Sequence, residues 1–340
     1  MRASLLGLAV LTSAAQAQPA SNTVKIIVAG IEKQIYLPAA LADRLGYFKS
    51  EGLDVELLSD SSGVHAEDEL LTGGVQGVIG FYDHTIDLQA KGKFVQTVVQ
   101  FSNAPGEAEV LSSRFRGQIH DPADFKGHML GITGLGSSTQ LLTQYLALSK
   151  GLRLRDLRFT SVGSGAEFVH ALETGNVSAG MTSEPAITYL LKLGRAQMLV
   201  DLRTPEAAAG ALGGPYPGAS LYMPVKWIHA HPDEVKKLAR ALVRALQFIH
   251  NHDAAQIADV VPDAYQWSGR QNYIDALNIT KRIFTADGMM PAEGPATVLR
   301  VMSTVSPALK DKPIDLNRTF SNEFVRSAAQ TVPTAAGHPN

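Results

Sequence analysis

Short apolar runs rich in β-branched residues alternate with helical stretches, and this alternation constrains the fold more than any other feature. The first two runs are residues 24–29 and 53–58, with a helical stretch over 38–48 between them. Two further runs follow at 75–82 and 94–101. Strands that alternate with helices predict an α/β fold with a mainly parallel sheet and helices on both of its faces.

The same pattern then starts again in the second third of the chain. A strand is predicted over 128–133, a helix over 137–150, and strands over 158–162, 177–182 and 197–202. The tetrapeptide TGGV at 72–75 and the tetrapeptide TGNV at 174–177 lie 102 positions apart. The same offset pairs Ser62-Gly63 with Ser164-Gly165. Agreement at one offset predicts two lobes built on the same plan.

The last third of the chain is predicted to be helical. Behind Pro232, a favoured first-turn residue, one apolar stripe runs through Val235, Leu238, Leu242 and Ile249. Such a stripe needs a surface to cover. We therefore expect a discontinuous first lobe, residues 21–103 plus 218–330, with residues 108–205 inserted as the second lobe. Residues 331–340 are predicted to be a disordered tail.

The N-terminal residues are typical of an export signal. Arg2 precedes the apolar run 5–11, which is too short to span a bilayer, and Ala15-Gln16-Ala17 fits a signal-peptidase site. Residues 1–17 are predicted to be removed, so that the mature chain begins at Gln18. No cysteine follows the site, so no lipid anchor is expected. These features predict a periplasmic or secreted protein.

Composition excludes several kinds of site. The formal net charge is -2, which predicts no nucleic-acid partner. The absence of cysteine removes thiolate metal sites, cysteine nucleophiles and disulfides. Neither His229-x-His231 nor His250-x-His252 has the spacing of a metal-binding helix. We predict no catalytic residue, no metal and no cofactor.

Ligands of open α/β sheets bind beyond the carboxyl ends of the strands, where loops lead into helices. The polar and aromatic residues at the first-lobe junctions are Gln34, Tyr36, Ser61, Ser62, Tyr82 and His84, and the second lobe contributes Glu184. Each of them has an alternative structural role, such as turn capping for Ser61 and Ser62 or covering the sheet for Tyr36 and Tyr82.

The segment 134–140, with sequence GLGSSTQ, is the strongest local signal of a binding site. Its glycines allow a ligand to approach the backbone, and Ser137 with Gln140 fits a capping box. The free N–H groups at a helix start suit a carboxylate, sulfonate or phosphate. We predict ligand contacts from Gly136, Ser137, Ser138 and Thr139.

These residues resemble a known family. The segments YLPAA at 36–40, GYFKSEGLDVEL at 46–57, GLGSSTQ at 134–140 and Glu184-Pro185 are similar to the periplasmic solute-binding proteins for nitrate, sulfonates, taurine and thiamine precursors. The resemblance implies the type II periplasmic binding fold, with two lobes joined by a two-strand hinge and a ligand cleft between them. It also implies delivery of the ligand to an ABC permease and its ATPase by a monomeric binding protein.

The resemblance leaves the ligand and one functional alternative open. No arginine stands at a predicted cleft junction, which favours a zwitterion, an aminosulfonate, or an aromatic or pyrimidine-like solute over nitrate. The same fold hosts pyrimidine-synthesising enzymes and lyases. The pyrimidine enzymes carry a cysteine-rich motif that this chain lacks. A subunit that presents its ligand to a membrane receptor is the third possibility.

Overall fold

The structure is a computed structural model that describes residues 23–329. The predicted signal peptide, 1–17, and the predicted tail, 331–340, lie outside these residues. Across 23–329, no helix combines the length and the apolar character needed to cross a membrane.

The described chain forms ten strands and fourteen α-helices. The strands are β1 Val24–Ala29, β2 Val55–Asp60, β3 Gly77–Phe81, β4 Val95–Gln100, β5 Glu107–Ser112, β6 Met129–Ile132, β7 Arg158–Ser161, β8 Ala179–Ser183, β9 Ala196–Leu202 and β10 Ala219–Pro224. The helices are α1 Leu37–Arg44, α2 Tyr47–Ser50, α3 Gly63–Thr72, α4 Asp83–Ala90, α5 Ser138–Ser149, α6 Gly165–Thr174, α7 Ala186–Lys192, α8 Pro205–Leu212, α9 Val225–Ala230, α10 Pro232–Asn251, α11 Ala254–Val260, α12 Arg270–Thr280, α13 Gly294–Val305 and α14 Glu323–Ala329.

The strands form two sheets of identical topology. The first sheet has the order β2-β1-β3-β10-β4 and the second has the order β7-β6-β8-β5-β9. The first three strands of each sheet are parallel, whereas β10 and β5 run antiparallel to both of their neighbours. The predicted α/β class with two helix-flanked sheets is confirmed, and each sheet is mixed because it contains one reversed strand.

The two reversed strands are exchanged between the halves of the chain. β5 follows β4 directly in sequence but lies in the second sheet, and β10 follows the second-sheet strand β9 but lies in the first. The chain therefore crosses between the sheets at residues 101–106 and 203–218. The two crossings correspond to the two-strand connection that the family resemblance implies.

The predicted internal repeat is present in the structure. Helix α6 begins and ends 102 residues after α3, and β8 does the same relative to β3. Both helices end at a left-handed glycine, Gly73 with φ 83° and Gly175 with φ 84°. A residue with a side chain would be strained there, so the two TG dipeptides mark equivalent helix ends.

The apolar stripe of α10 is buried against elements of the first half of the chain. Val235, Leu238, Leu242 and Ile249 are fully buried. The helix contacts α1, α2 and β4 and also packs along α14. The lobe boundaries stay a prediction, because α13 and α12 of the C-terminal segment contact α5 and α7, which belong to the inserted residues.

The predicted helix over 38–48, expected to end near Gly46, is α1, and Gly46 with φ 68° separates it from the short helix α2. Two strands, β5 and β10, were missed. β5 carries two glutamates, and β10 follows a glycine- and proline-rich loop, so neither has the apolar run by which the other strands were found.

Candidate functional site

A small polar cavity lies between the carboxyl edges of the two sheets. In this closed form its free volume is about 10 Å³, room for about one water molecule, so a ligand can enter only when the cleft opens. The first half of the chain and the second both contribute walls. The residues that line it are Lys33, Tyr36, Gly63, Phe81, His84, Glu107, Thr133, Ser137, Ser138 and Thr139.

The cation in this lining is Lys33, which follows β1. Its ammonium group donates to the carbonyls of Ala29, at 2.7 Å, and Ser61, at 3.2 Å. Burial lowers the pKa of Lys33, although the nearby carboxylates of Glu32 and Glu107 oppose the shift. An ammonium group has three protons, so one donor remains for a ligand.

The serine-rich helix start forms the opposite wall. Ser137 caps α5 by accepting from the backbone N–H of Gln140 at 3.4 Å. The second half of the predicted capping box is wrong, because the Gln140 side chain accepts from Gly136 N–H and the Ser137 N–H is taken by a carbonyl. The Thr139 hydroxyl accepts from Thr133 N–H at 3.1 Å. These bonds fix the hydroxyls that face the cavity.

Ser138 connects the two halves of the molecule. Its hydroxyl donates to Oδ1 of Asp83, at the start of α4, over 2.8 Å. Tyr216 donates to the other oxygen of Asp83 at 3.4 Å. Burial raises the pKa of Asp83, and His84 and the Ser138 hydrogen bond counteract the shift. The cleft is therefore closed over the cavity by a buried hydrogen bond.

His84 lies beside the cavity with its ring held by a carboxylate. Its Nδ1 is 2.9 Å from Oε2 of Glu67, and both side chains are buried. A side chain at Gly63 would collide with Nε2 of His84. Burial alone would lower the pKa of His84, but the hydrogen bond to Glu67 and the charge of Asp83 raise it.

A larger groove of about 260 Å³ shares His84 and Ser137 with the cavity lining. Helices α3 and α4 border it on one side, and α5 and α13 border it on the other. Gly136, with φ 84°, lies in this groove rather than in the cavity. The groove reaches the cavity from outside.

Two glutamates of the reversed strand β5 point to the same face of the second sheet. Burial raises the pKa of Glu107 to about 8, with Lys33 lowering it and Asp83 raising it further. Burial also raises the pKa of Glu109 to about 8, against a hydrogen bond from Thr143. Oε2 of Glu107 accepts no hydrogen bond from any described residue.

The structure brings five of the eleven predicted ligand-binding residues together in the cavity wall. They are Tyr36, His84, Ser137, Ser138 and Thr139. Burial raises the pKa of the Tyr36 phenol well above its usual value, so it is a neutral hydrogen-bonding group at all ordinary pH values.

The other predicted first-lobe residues do not line the cavity. The Gln34 amide donates to the Tyr273 carbonyl at 2.8 Å, and the Tyr82 hydroxyl is bonded to Thr319. Ser61 contributes only its carbonyl, to Lys33. The Ser62 hydroxyl is buried without a partner among residues 23–329 and does not cap α3.

Glu184 is also committed to internal contacts. Its Oε1 accepts from Arg203 and from the Thr188 hydroxyl, each at 2.8 Å, and its Oε2 accepts from Thr188 N–H at 2.9 Å. Arg203 in turn holds Asp201 with two parallel bonds of 2.9 and 2.8 Å. The arginine near the cleft is thus fully occupied by carboxylates, and Lys33 is the cation of the cavity.

Sequence reasoning missed Lys33, Gly63, Phe81, Glu107 and Thr133. Lys33 stands directly before the predicted Gln34, and Thr133 ends a predicted strand, so their position was a usable signal. Glu107 had no such signal, because the strand that carries it was not predicted. Among residues 23–329, no group of three or more histidine or carboxylate side chains could hold a metal ion.

Comparison with known proteins agrees with this architecture. Residues 35–256 match the family described as NMT1/THI5 like. The chain belongs to the NMT1/THI5-like family. A protein of Bordetella bronchiseptica RB50 with a solved structure is 32% identical, with a TM-score of 0.88, and the match covers 92% of this chain and 98% of that chain.

Named relatives of this NMT1/THI5-like chain are more distant. YtlA of Bacillus subtilis, named as a binding protein, is 22% identical over 71% of each chain. A 4-amino-5-hydroxymethyl-2-methylpyrimidine phosphate synthase of Saccharomyces cerevisiae is 26% identical, and the match spans 63% of each chain.

Two further solved structures share the fold. The nitrate-binding protein NrtA of Synechocystis PCC 6803 is 14% identical with a TM-score of 0.68, covering 93% of this chain and 90% of that chain. The alkanesulfonate-binding protein SsuA of Xanthomonas axonopodis, bound to MOPS, is 17% identical with a TM-score of 0.64, covering 92% and 98%. The fold of this chain is therefore that of periplasmic binding proteins.

Proposed function

We propose that this protein is the substrate-binding component of an ABC importer, and that it captures a small polar organic solute in the cavity between its sheets. The observation that carries the proposal is the cavity itself. It is polar, is enclosed by both halves of the chain, and lies where the carboxyl edges of two sheets meet. Within residues 23–329 the chain crosses between those sheets twice, at 101–106 and 203–218, so the cleft can open by a hinge motion.

The mature protein is proposed to act as a monomer in the periplasm and to deliver its ligand to a permease and an ATPase. The predicted signal peptide supports export, and the relationship to a binding protein and the shared fold support the transport role. Mass spectrometry of the protein recovered from the periplasm should find Gln18 at its N-terminus. Intact Met1 on soluble cytoplasmic protein would contradict export.

We propose that the protein binds its solute and does not convert it. The relationship to pyrimidine phosphate synthases keeps catalysis as an alternative. The chain contains no cysteine, whereas the synthases that it resembles are expected to carry a cysteine-rich motif. A bound solute that is released unchanged supports transport, whereas a solute that is converted would support the enzyme.

A thermal-shift screen of sulfonates, aromatic acids, amino acids and pyrimidines tests the proposal. A ligand at 100 times its dissociation constant stabilises the folded protein by about 2.7 kcal/mol. Small-angle scattering of the same samples should show that the ligand-bound protein is more compact than the empty one. If no solute of any class raises the melting temperature, the binding function is refuted.

A further inference from the structure

The Glu107 side chain lacks the partners that the neighbouring buried glutamates have. Glu109, on the same face of β5, accepts from the Thr143 hydroxyl at 2.7 Å through Oε2, although its Oε1 has no partner within residues 23–329, and Glu184 is held by Arg203. Glu107 is only 3% exposed, and its Oε2 accepts no hydrogen bond within residues 23–329. A buried carboxyl oxygen without a hydrogen bond is unfavourable, so a donor from a bound ligand would stabilise it.

The charged groups around Glu107 favour a ligand group that donates a hydrogen bond over one that accepts a hydrogen bond. Lys33 is the nearest cation, but its ammonium group is bonded to two carbonyls and forms no ion pair with Glu107. Asp83 adds negative charge near Glu107, and the phenols of Tyr36 and Tyr216 lie close to its carboxyl group. An anion beside Glu107 would therefore be repelled, whereas a nitrogen group would meet an unpaired acceptor.

We infer that Glu107 selects the ligand, and that this ligand carries an amine or amidine nitrogen that donates to the Glu107 carboxylate. The inference rests on the proposed binding function and specifies its substrate class. The remaining donor of Lys33 is left for an acceptor atom of the same ligand, whereas the hydroxyls of Ser137 and Thr139 are bonded to each other at 2.7 Å. A solute without an N–H donor leaves the Glu107 oxygen unpaired and is rejected.

The raised pKa of Glu107 determines how ligand affinity changes with pH. Burial raises the pKa of Glu107 to about 8, so the empty cavity holds the neutral acid at neutral pH. A cationic nitrogen group favours the carboxylate, so its binding releases a proton below about pH 8. Affinity should therefore rise with pH toward 8, by at most about tenfold per pH unit. An anionic partner for Glu107 would give proton uptake and the opposite trend.

The experiment uses matched probes that differ only in the nitrogen group. These pairs are taurine and ethanesulfonate, β-alanine and propionate, and 4-aminopyrimidine and pyrimidine. Thermal shift and calorimetric titration should detect binding only by the members that carry an amino group. Titration of the binding amine in buffers of different ionisation enthalpy should show proton release.

Two variants separate recognition from folding. Glu107→Gln should weaken binding of the nitrogen-bearing probe by at least tenfold and remove the proton release. Glu109→Gln is the matched control, because it changes an equally buried glutamate outside the cavity wall, and it should retain the parental affinity. Tight binding of a probe without an amino group, or unchanged affinity in Glu107→Gln, overturns the inference but leaves the binding function intact. If no probe of either set binds, the substrate class is wrong, and the broader solute screen then decides the binding function itself.

Discussion

Replacement of Glu184 by alanine should destabilise the fold rather than remove a ligand contact. The Glu184 carboxylate is fully buried and accepts three hydrogen bonds, one from Arg203 and two from Thr188. Removal of one member of a buried ion pair typically costs about 3–5 kcal/mol. Because Asp201 still holds Arg203 through two bonds, we expect a value near the lower limit, about 3 kcal/mol.

Urea unfolding followed by far-UV circular dichroism measures this loss. Glu206→Ala is the control, because Glu206 and Arg282 form an exposed ion pair, and this variant should unfold like the parent. The ligand affinity of Glu184→Ala, measured at low temperature where the variant is folded, should stay within a few-fold of the parent. A variant with parental stability that no longer binds ligand would refute this reasoning and make Glu184 a ligand anchor.

Further predictions concern the closed cleft and the buried acid of β5. Ser138→Ala should weaken ligand binding by about tenfold or more in calorimetric titration, because it removes the hydroxyl that bridges the two halves. Ser137→Ala should instead lower the melting temperature of the empty protein, since it removes a helix cap that contributes about 1 kcal/mol. Gly134→Ala should weaken ligand binding, because the added Cβ would collide with the Ser62 hydroxyl in the closed form. The double variant Gly134→Ala, Ser62→Gly lacks this collision and should bind like the parent. Glu109 stays protonated up to about pH 8 when folded but ionises near pH 4.5 when unfolded. The free energy of unfolding therefore falls as the pH rises from 4.5 to 8. Urea midpoints measured over this pH range should fall less in Glu109→Gln than in the parent.

The helices and strands that could be predicted from the sequence are those marked by residues close together in the chain. Helix α5 begins one residue after its predicted cap, Ser137, and the two TG dipeptides mark helix ends 102 residues apart. These features depend on neighbouring residues, so a single sequence contains them. The five cavity residues that were predicted all stand at such junctions.

The features that were missed depend on contacts between distant parts of the chain. β5 lies between β8 and β9, and β10 lies between β3 and β4, so pairing partners on both sides stabilise strands that have little apolar pattern of their own. Glu107 and Glu109 sit in a buried strand where hydrophobic residues are expected. A polar residue in that position lowers the strand signal, and for Glu107 the same residue is the one that we propose binds the ligand.

The internal repeat also explains why the two sides of the cleft differ. Ser164, at the start of α6, donates across the cleft to Glu32 at 2.5 Å. The positions equivalent by the offset of 102 are Ser62, at the start of α3, and Gly134. Because Gly134 has no side chain, Ser62 packs against its backbone and keeps a buried hydroxyl without a partner. One repeat contact therefore joins the two lobes by a hydrogen bond, whereas at the equivalent contact the Ser62 hydroxyl is buried without a partner among residues 23–329.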